Sequence, residues 1–118
     1  MDQQSPPDFT VGQAYLSALK QSGIDVVFAN AGTDFAPIIE GILRAGDAGH
    51  DIPRFVTVPH ENVAVAMAQG YYKTSGHIAG VMVHVTVGTA NALCGIMNAA
   101  RDRVPLLLAA GQIGRAHV

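Results

Sequence analysis

Glu61 is the first residue whose surroundings in the sequence point to chemistry. It is the only carboxylate between Asp51 and Asp102, and Lys73 is the only lysine or arginine between Arg54 and Arg101. A lone carboxyl where a strand passes into a helix, in apolar sequence, is a candidate for proton chemistry. The plain alternative is a helix-start carboxylate favoured by the helix dipole. His84 lies in an apolar run, Val81-Met82-Val83-His84-Val85. Such a histidine is most simply a satisfied core residue, yet the carboxyl end of its strand could bring it to the same crevice as Glu61. Asn91 reads equally as a helix-end amide or a ligand contact. Gly32 and Gly88 read as turn glycines unless something approaches their backbone closely. Thr33 completes the turn Asn30-Ala31-Gly32-Thr33.

Several familiar sites are absent. His60-Glu61-Asn62-Val63-Ala64 begins like a zinc-protease helix but has alanine where the second histidine belongs. The histidines at 50, 60, 77, 84 and 117 show no ligand spacing with Cys94, so no metal site is expected. Cys94 sits among apolar residues of a helix and is expected in the core. Neither G-x-G-x-x-G nor a Walker sequence occurs, so nothing here cradles a diphosphate by itself.

The elements that must position these residues follow from periodicity and punctuation. Val11, Ala14, Tyr15, Ala18 and Leu19 have helical spacing, with Thr10 as N-cap and Gly23 as stop. Ile24 to Ala29 reads as a buried strand, and a helix from about Asp34 to Ala45 carries Pro37 in its first turn. A second strand, Arg54 to Val58, leads to a helix from Glu61 to Thr74 closed by Gly76. A third strand, Ile78 to Thr86, is followed by a turn at Gly88 and a helix from Ala90 to Arg101. A fourth strand runs from Pro105 to Ala110. Helices alternating with continuously apolar strands predict an α/β fold: a parallel sheet with helices on both faces. Ligands of such sheets bind outside the carboxyl ends of the strands. That selects the loops Asn30 to Asp34, Pro59 to Asn62, Val87 to Asn91 and Gly111 to Gly114.

The 118 residues give room for one domain. Residues 1–9 read as a flexible lead-in and 10–118 as a domain cut short at its carboxyl end, with no helix left to cover the last strand. Apolar residues make up 49%, which excludes disorder, while charged residues are only 14%, against about a quarter in typical soluble domains. The missing charge implies surface covered by other protein. A net charge of −2 argues against partners such as nucleic acid or anionic membranes. The start Met1-Asp2-Gln3-Gln4-Ser5-Pro6-Pro7 has no secretory pattern, so a cytoplasmic location is expected.

Taken in order, these residues carry a resemblance. They are Pro59-His60-Glu61, Ala68-Gln69-Gly70-Tyr71, Thr74-Ser75-Gly76, Gly88-Thr89-Ala90-Asn91-Ala92-Leu93, Val104-Pro105 and Ala110-Gly111-Gln112. The chain resembles the N-terminal, pyrimidine-binding domain of thiamine-diphosphate enzymes of the acetolactate synthase, pyruvate oxidase and benzoylformate decarboxylase group. The resemblance implies that Glu61 hydrogen-bonds N1′ of the cofactor's aminopyrimidine. It further implies decarboxylation of a 2-oxo acid through a cofactor ylide and an enamine. Gly32, Thr33, Gly88 and Asn91 match positions that line the cofactor or substrate pocket. His84, with Val85-Thr86-Val87-Gly88 after it, resembles the benzoylformate decarboxylase pattern, whose histidine transfers protons to and from the bound intermediate.

Ala31 stands where many members have proline, and Gln69 where many have aspartate. The resemblance also implies a homodimer or homotetramer. In it, Mg²⁺ and the diphosphate are held by a C-terminal domain, absent from this chain and contributed by a partner subunit. This chain alone would then be inactive. Some members carry FAD, which no residue here indicates. An acetolactate-synthase-like carboligase and a non-catalytic α/β binding module are the alternatives.

Overall fold

The computed structural model describes residues 9–111. Four parallel strands, β1 (Val26–Ala29), β2 (Arg54–Thr57), β3 (Gly80–Val83) and β4 (Leu107–Ala110), form one sheet in the order β2-β1-β3-β4. The helices are α1 (Val11–Gln21), α2 (Ala36–Asp47), α3 (Glu61–Ser75) and α4 (Val85–Arg101), with a 3₁₀ turn at Thr33–Phe35 ahead of α2. The expected lead-in, apart from Phe9, and the expected carboxyl-terminal shortfall beyond Gly111 lie outside the described residues.

Alternate residues of the central strands feed two cores, which is why β1 and β3 are apolar throughout. Val26, Phe28, Val81 and Val83 pack with Ala64, Val65 and Ala68 of α3 and Ala92 of α4. Val27, Ala29 and Met82 turn the other way, toward Leu19 of α1, Phe35 and Ile38. Helices therefore cover both faces, as the sequence predicts. The same rule makes a covered strand of Pro105 to Ala110, but β4 is the sheet edge and exposes Leu107 and Ala110.

Local chemistry sets the helix ends. Thr10 and Gln13 form a reciprocal capping box at α1. Gly76, at φ 74°, ends α3 in a left-handed turn. The helix expected from Asp34 begins instead with the 3₁₀ turn and becomes α-helical at Ala36. A larger difference follows β3. The strand ends at Val83, and α4 starts at Val85 rather than Ala90, so Gly88 lies inside the helix and not in a turn. The break comes at Val85, whose φ is +39°. A β-branched residue there is a genuine outlier, and nothing in the run Val83-His84-Val85-Thr86-Val87 announces it.

Between β1 and β3 the chain's progress across the sheet reverses: it leaves β1 toward β2 and β3 toward β4. This switch point is where open α/β sheets bind ligands. On one face the layer is fixed by close α3–α4 packing. A Cβ on Gly95 of α4 would lie 2.9 Å from both Cβ and Cγ1 of Val65, and the Gly95 N–H donates to the Asn62 side chain at 3.0 Å. At the far end of these helices Asp102 accepts from Gln69 and Lys73. The Lys73 ammonium holds the Asp102 carboxyl below the usual carboxylate range.

Gly95→Ala therefore sets two effects against each other. Alanine gains about 1 kcal/mol of helix propensity, while overpacking costs about 1–3 kcal/mol. The expected outcome is a lower thermal midpoint, because both Val65 contacts are backbone-near carbons that cannot swing aside. A raised midpoint for the alanine variant would show that α3 and α4 are less tightly apposed.

Candidate functional site

The candidate residues gather into two groups at the carboxyl ends of the strands. Glu61, the first residue of α3, is buried at 8% exposure. Its helix is capped by His60, whose Nδ1 accepts from the Asn62 N–H at 3.1 Å. The Asn91 side-chain amide lies at a long 3.4 Å from Glu61 Oε2. Gly88 packs on the Oε1 side: a Cβ there would stand 3.5 Å from Oε1 and 3.1 Å from Val83 Cβ. Among the described residues, no lysine, arginine or histidine forms an ion pair with Glu61. The carboxyl thus sits beside the first turns of two helices, whose dipoles favour an anion.

The second group stands at the switch point. His84, between β3 and α4, is half-buried, and its Nδ1 lies 2.6 Å from Asp34 Oδ1. The Asp34 side chain is only 7% exposed, and its other oxygen accepts the Gly111 N–H at 3.1 Å. Gly32 closes one edge of the imidazole. A Cβ on it would fall 2.2 Å from His84 Nδ1, so no residue with a side chain fits there without moving the ring. What approaches the Gly32 backbone is a protein side chain. The two groups are joined through α4, where the Gly88 N–H donates to the His84 carbonyl at 2.7 Å.

His84 is therefore neither an isolated core residue nor free: it is a paired imidazole at a strand end. Thr33 is exposed at the start of the 3₁₀ turn. Cys94, expected in the core, is exposed, because α4 turns Ala92 and Ala99 inward and residue 94 outward. Asp34 is the residue that sequence reasoning missed. Its signal was its place, a carboxylate in the loop after β1, but it reads equally well as the opening of a helix. Among the described residues, no group of three or more histidine, cysteine or acidic side chains could hold a metal ion. No helix among them is long and apolar enough to cross a membrane.

Comparison with known proteins agrees with this architecture. Residues 9–118 match the family model of the thiamine pyrophosphate enzyme N-terminal TPP-binding domain. The chain belongs to this family. It is 35% identical over 102 residues to the acetolactate synthase large subunit of Lactococcus lactis, covering 86% of this chain and 17% of that protein. It is 32% identical over 109 residues to the benzoylformate decarboxylase of Pseudomonas aeruginosa, covering 92% of this chain and 19% of that one. The thiamine diphosphate-dependent 4-hydroxybenzoylformate decarboxylase of Rhodococcus jostii has a similar structure, with a TM-score of 0.75 and 28% identity. That match covers 90% of this chain and 19% of the other. The chain thus spans less than a fifth of the length of these curated relatives.

The close fit of Gly32 against the imidazole makes a direct test of the TPP-binding domain's second group. Gly32→Ala should push the ring off Asp34 and destabilise the fold by about 1–3 kcal/mol, the usual range for forced overpacking. Nitrogen shifts of the His84 ring and a thermal melt read the two effects. Unchanged ring shifts would mean that glycine is not required by the histidine.

Proposed function

We propose that this domain serves a thiamine-diphosphate-dependent enzyme that decarboxylates 2-oxo acids. Glu61 would receive the aminopyrimidine, and His84 would transfer protons at the substrate. The observation that carries this reading is the buried Glu61 carboxyl, free of ion pairs among the described residues and packed beside the glycine at 88. A carboxyl shielded from water shares a proton strongly with a weakly basic ring nitrogen. That donor set fits an aminopyrimidine. Gly88 puts no side chain against Oε1, the Asn91 amide lies 3.4 Å from the other oxygen, and Gly32 and Thr33 belong to the loop after β1. When bound, thiamine diphosphate supplies an acidic thiazolium carbon and an electron sink for the bond next to a 2-oxo group. The work of this chain is to hold a proton at Glu61 and to offer the free nitrogen of His84 where the substrate's carbon gains one.

The paired histidine favours a decarboxylase of the benzoylformate type. Identity to an acetolactate synthase large subunit supports a second reading, carboligation of two 2-oxo acids. Product analysis separates them, since the first releases an aldehyde and the second a branched hydroxy acid. Partners belong to the proposal as well. Val63 and Met67 on α3, and Leu93 and Met97 on α4, are exposed apolar pairs one turn apart. We place this face against a partner subunit whose C-terminal domain holds the diphosphate and Mg²⁺, in a homodimer or homotetramer in the cytoplasm.

Two experiments test the reading. Glu61→Gln in the full-length protein keeps shape but cannot share the proton as a carboxyl does. Exchange of the cofactor's C2 proton, followed by NMR after quenching, should slow by about 10²-fold or more. An unchanged rate would return Glu61 to the role of a helix-start carboxylate. Calorimetry on the isolated 118 residues should detect only weak cofactor binding. Tight, Mg²⁺-dependent binding by this chain alone would remove the need for a partner domain.

A further inference from the structure

We propose that Asp34 is a positioning residue that sets the tautomer of His84, keeping Nε2 bare as the proton-accepting atom. The inference rests on the reading of His84 as the proton-transfer group, and it goes beyond that reading by assigning the atom and the residue that selects it.

An ionised carboxylate only accepts hydrogen bonds, and a neutral imidazole carries one N–H and one bare nitrogen. Asp34 Oδ1 lies 2.6 Å from His84 Nδ1, so in the neutral ring the proton must be on Nδ1. That leaves the lone pair on Nε2. Ring reversal would put Cδ2 in the place of Nδ1 and forfeit the hydrogen bond to Asp34 Oδ1. Asp34 is itself fixed. It is 7% exposed, and Oδ2 accepts the Gly111 N–H at 3.1 Å. Its two oxygens therefore have separate tasks, one at the end of β4 and one at the imidazole. Decarboxylation of a 2-oxo acid anion to an aldehyde consumes one proton. Nε2 takes it from solvent, making the ring a cation beside a buried carboxylate that stabilises it. The neutral Nδ1–H form returns when Nε2 passes the proton to the substrate carbon that has lost CO₂. Nδ1 keeps its own proton throughout, so the proton count closes.

The same geometry dictates what an amide does at this position. In Asp34→Asn, the Gly111 N–H still requires an acceptor, so the amide oxygen takes the Oδ2 place and its NH₂ faces His84 Nδ1. A donor there forces Nδ1 to accept, and the ring proton moves to Nε2. The variant keeps size, burial and the Gly111 contact while inverting the tautomer. In serine proteases an aspartate-to-asparagine change beside the catalytic histidine acts in this way and lowers turnover by about 10⁴-fold.

The experiment uses the full-length enzyme loaded with thiamine diphosphate and Mg²⁺, with benzoylformate and pyruvate as aryl and alkyl probes. Asp34→Asn should lower kcat on the accepted probe by about 10²- to 10⁴-fold, with KM and the C2 exchange rate near wild type. Histidine ring ¹⁵N spectra, assigned by subtraction of His84→Ala, should show Nδ1–H in wild type and Nε2–H in Asp34→Asn. The double variant Asp34→Asn/His84→Ala should be no slower than His84→Ala alone, since the aspartate acts only through the histidine. A wild-type ring already protonated on Nε2 overturns the proposal without reference to any variant. If His84→Ala is slow but Asp34→Asn turns over normally, the positioning role is lost and the histidine's role stands. If His84→Ala itself turns over normally, the histidine's role is lost and the positioning role with it.

Discussion

One buried carboxylate ties the carboxyl end of this sheet together. Asp34 follows β1, bonds the imidazole that follows β3 and accepts the first amide beyond β4. Three strand ends of separate sequence origin are held to a single side chain. An aspartate buried to 7% exposure is stable there only because both oxygens are engaged. Truncating any partner would leave a desolvated polar group, which costs about 1–3 kcal/mol. Asn30 does a similar service beside it, with its side-chain amide on the Val58 carbonyl at the end of β2. All four strand ends are thus linked by polar contacts made from one short loop.

Glu61 depends on a different device. Its position is set by α3, and α3 is held to α4 by small residues and a helix-to-helix hydrogen bond at Asn62. Alanines at 64, 68, 92 and 99 let the layer lie close to the sheet. Burial of Glu61 is therefore a by-product of how nearly two helices approach, not of a pocket closed around it. The consequence is a carboxyl that is largely shielded from water.

Much of this was legible in the sequence, and the exceptions have physical causes. β1 and β3 were readable because both their faces are buried, so apolarity is unbroken. β4 reads the same way yet lies at an edge, since composition does not distinguish a covered strand from one awaiting a neighbour. The boundary at Val83 was hidden because β-branched residues continue across it and only one dihedral angle marks the break. Asp34 was hidden because its partners, His84 and Gly111, are 50 and 77 positions away. Glu61 stood out for the opposite reason: isolation from other charges is a property of sequence, and among the described residues no ion pair reaches it.

Val85 carries a last consequence. A valine at φ +39° holds on the order of 1–3 kcal/mol of backbone strain, immediately after the imidazole that Asp34 holds. Glycine would relieve that strain, but it would also loosen the corner from which the imidazole projects. Relief of strain and a fixed direction for the His84 ring therefore pull this position in opposite directions.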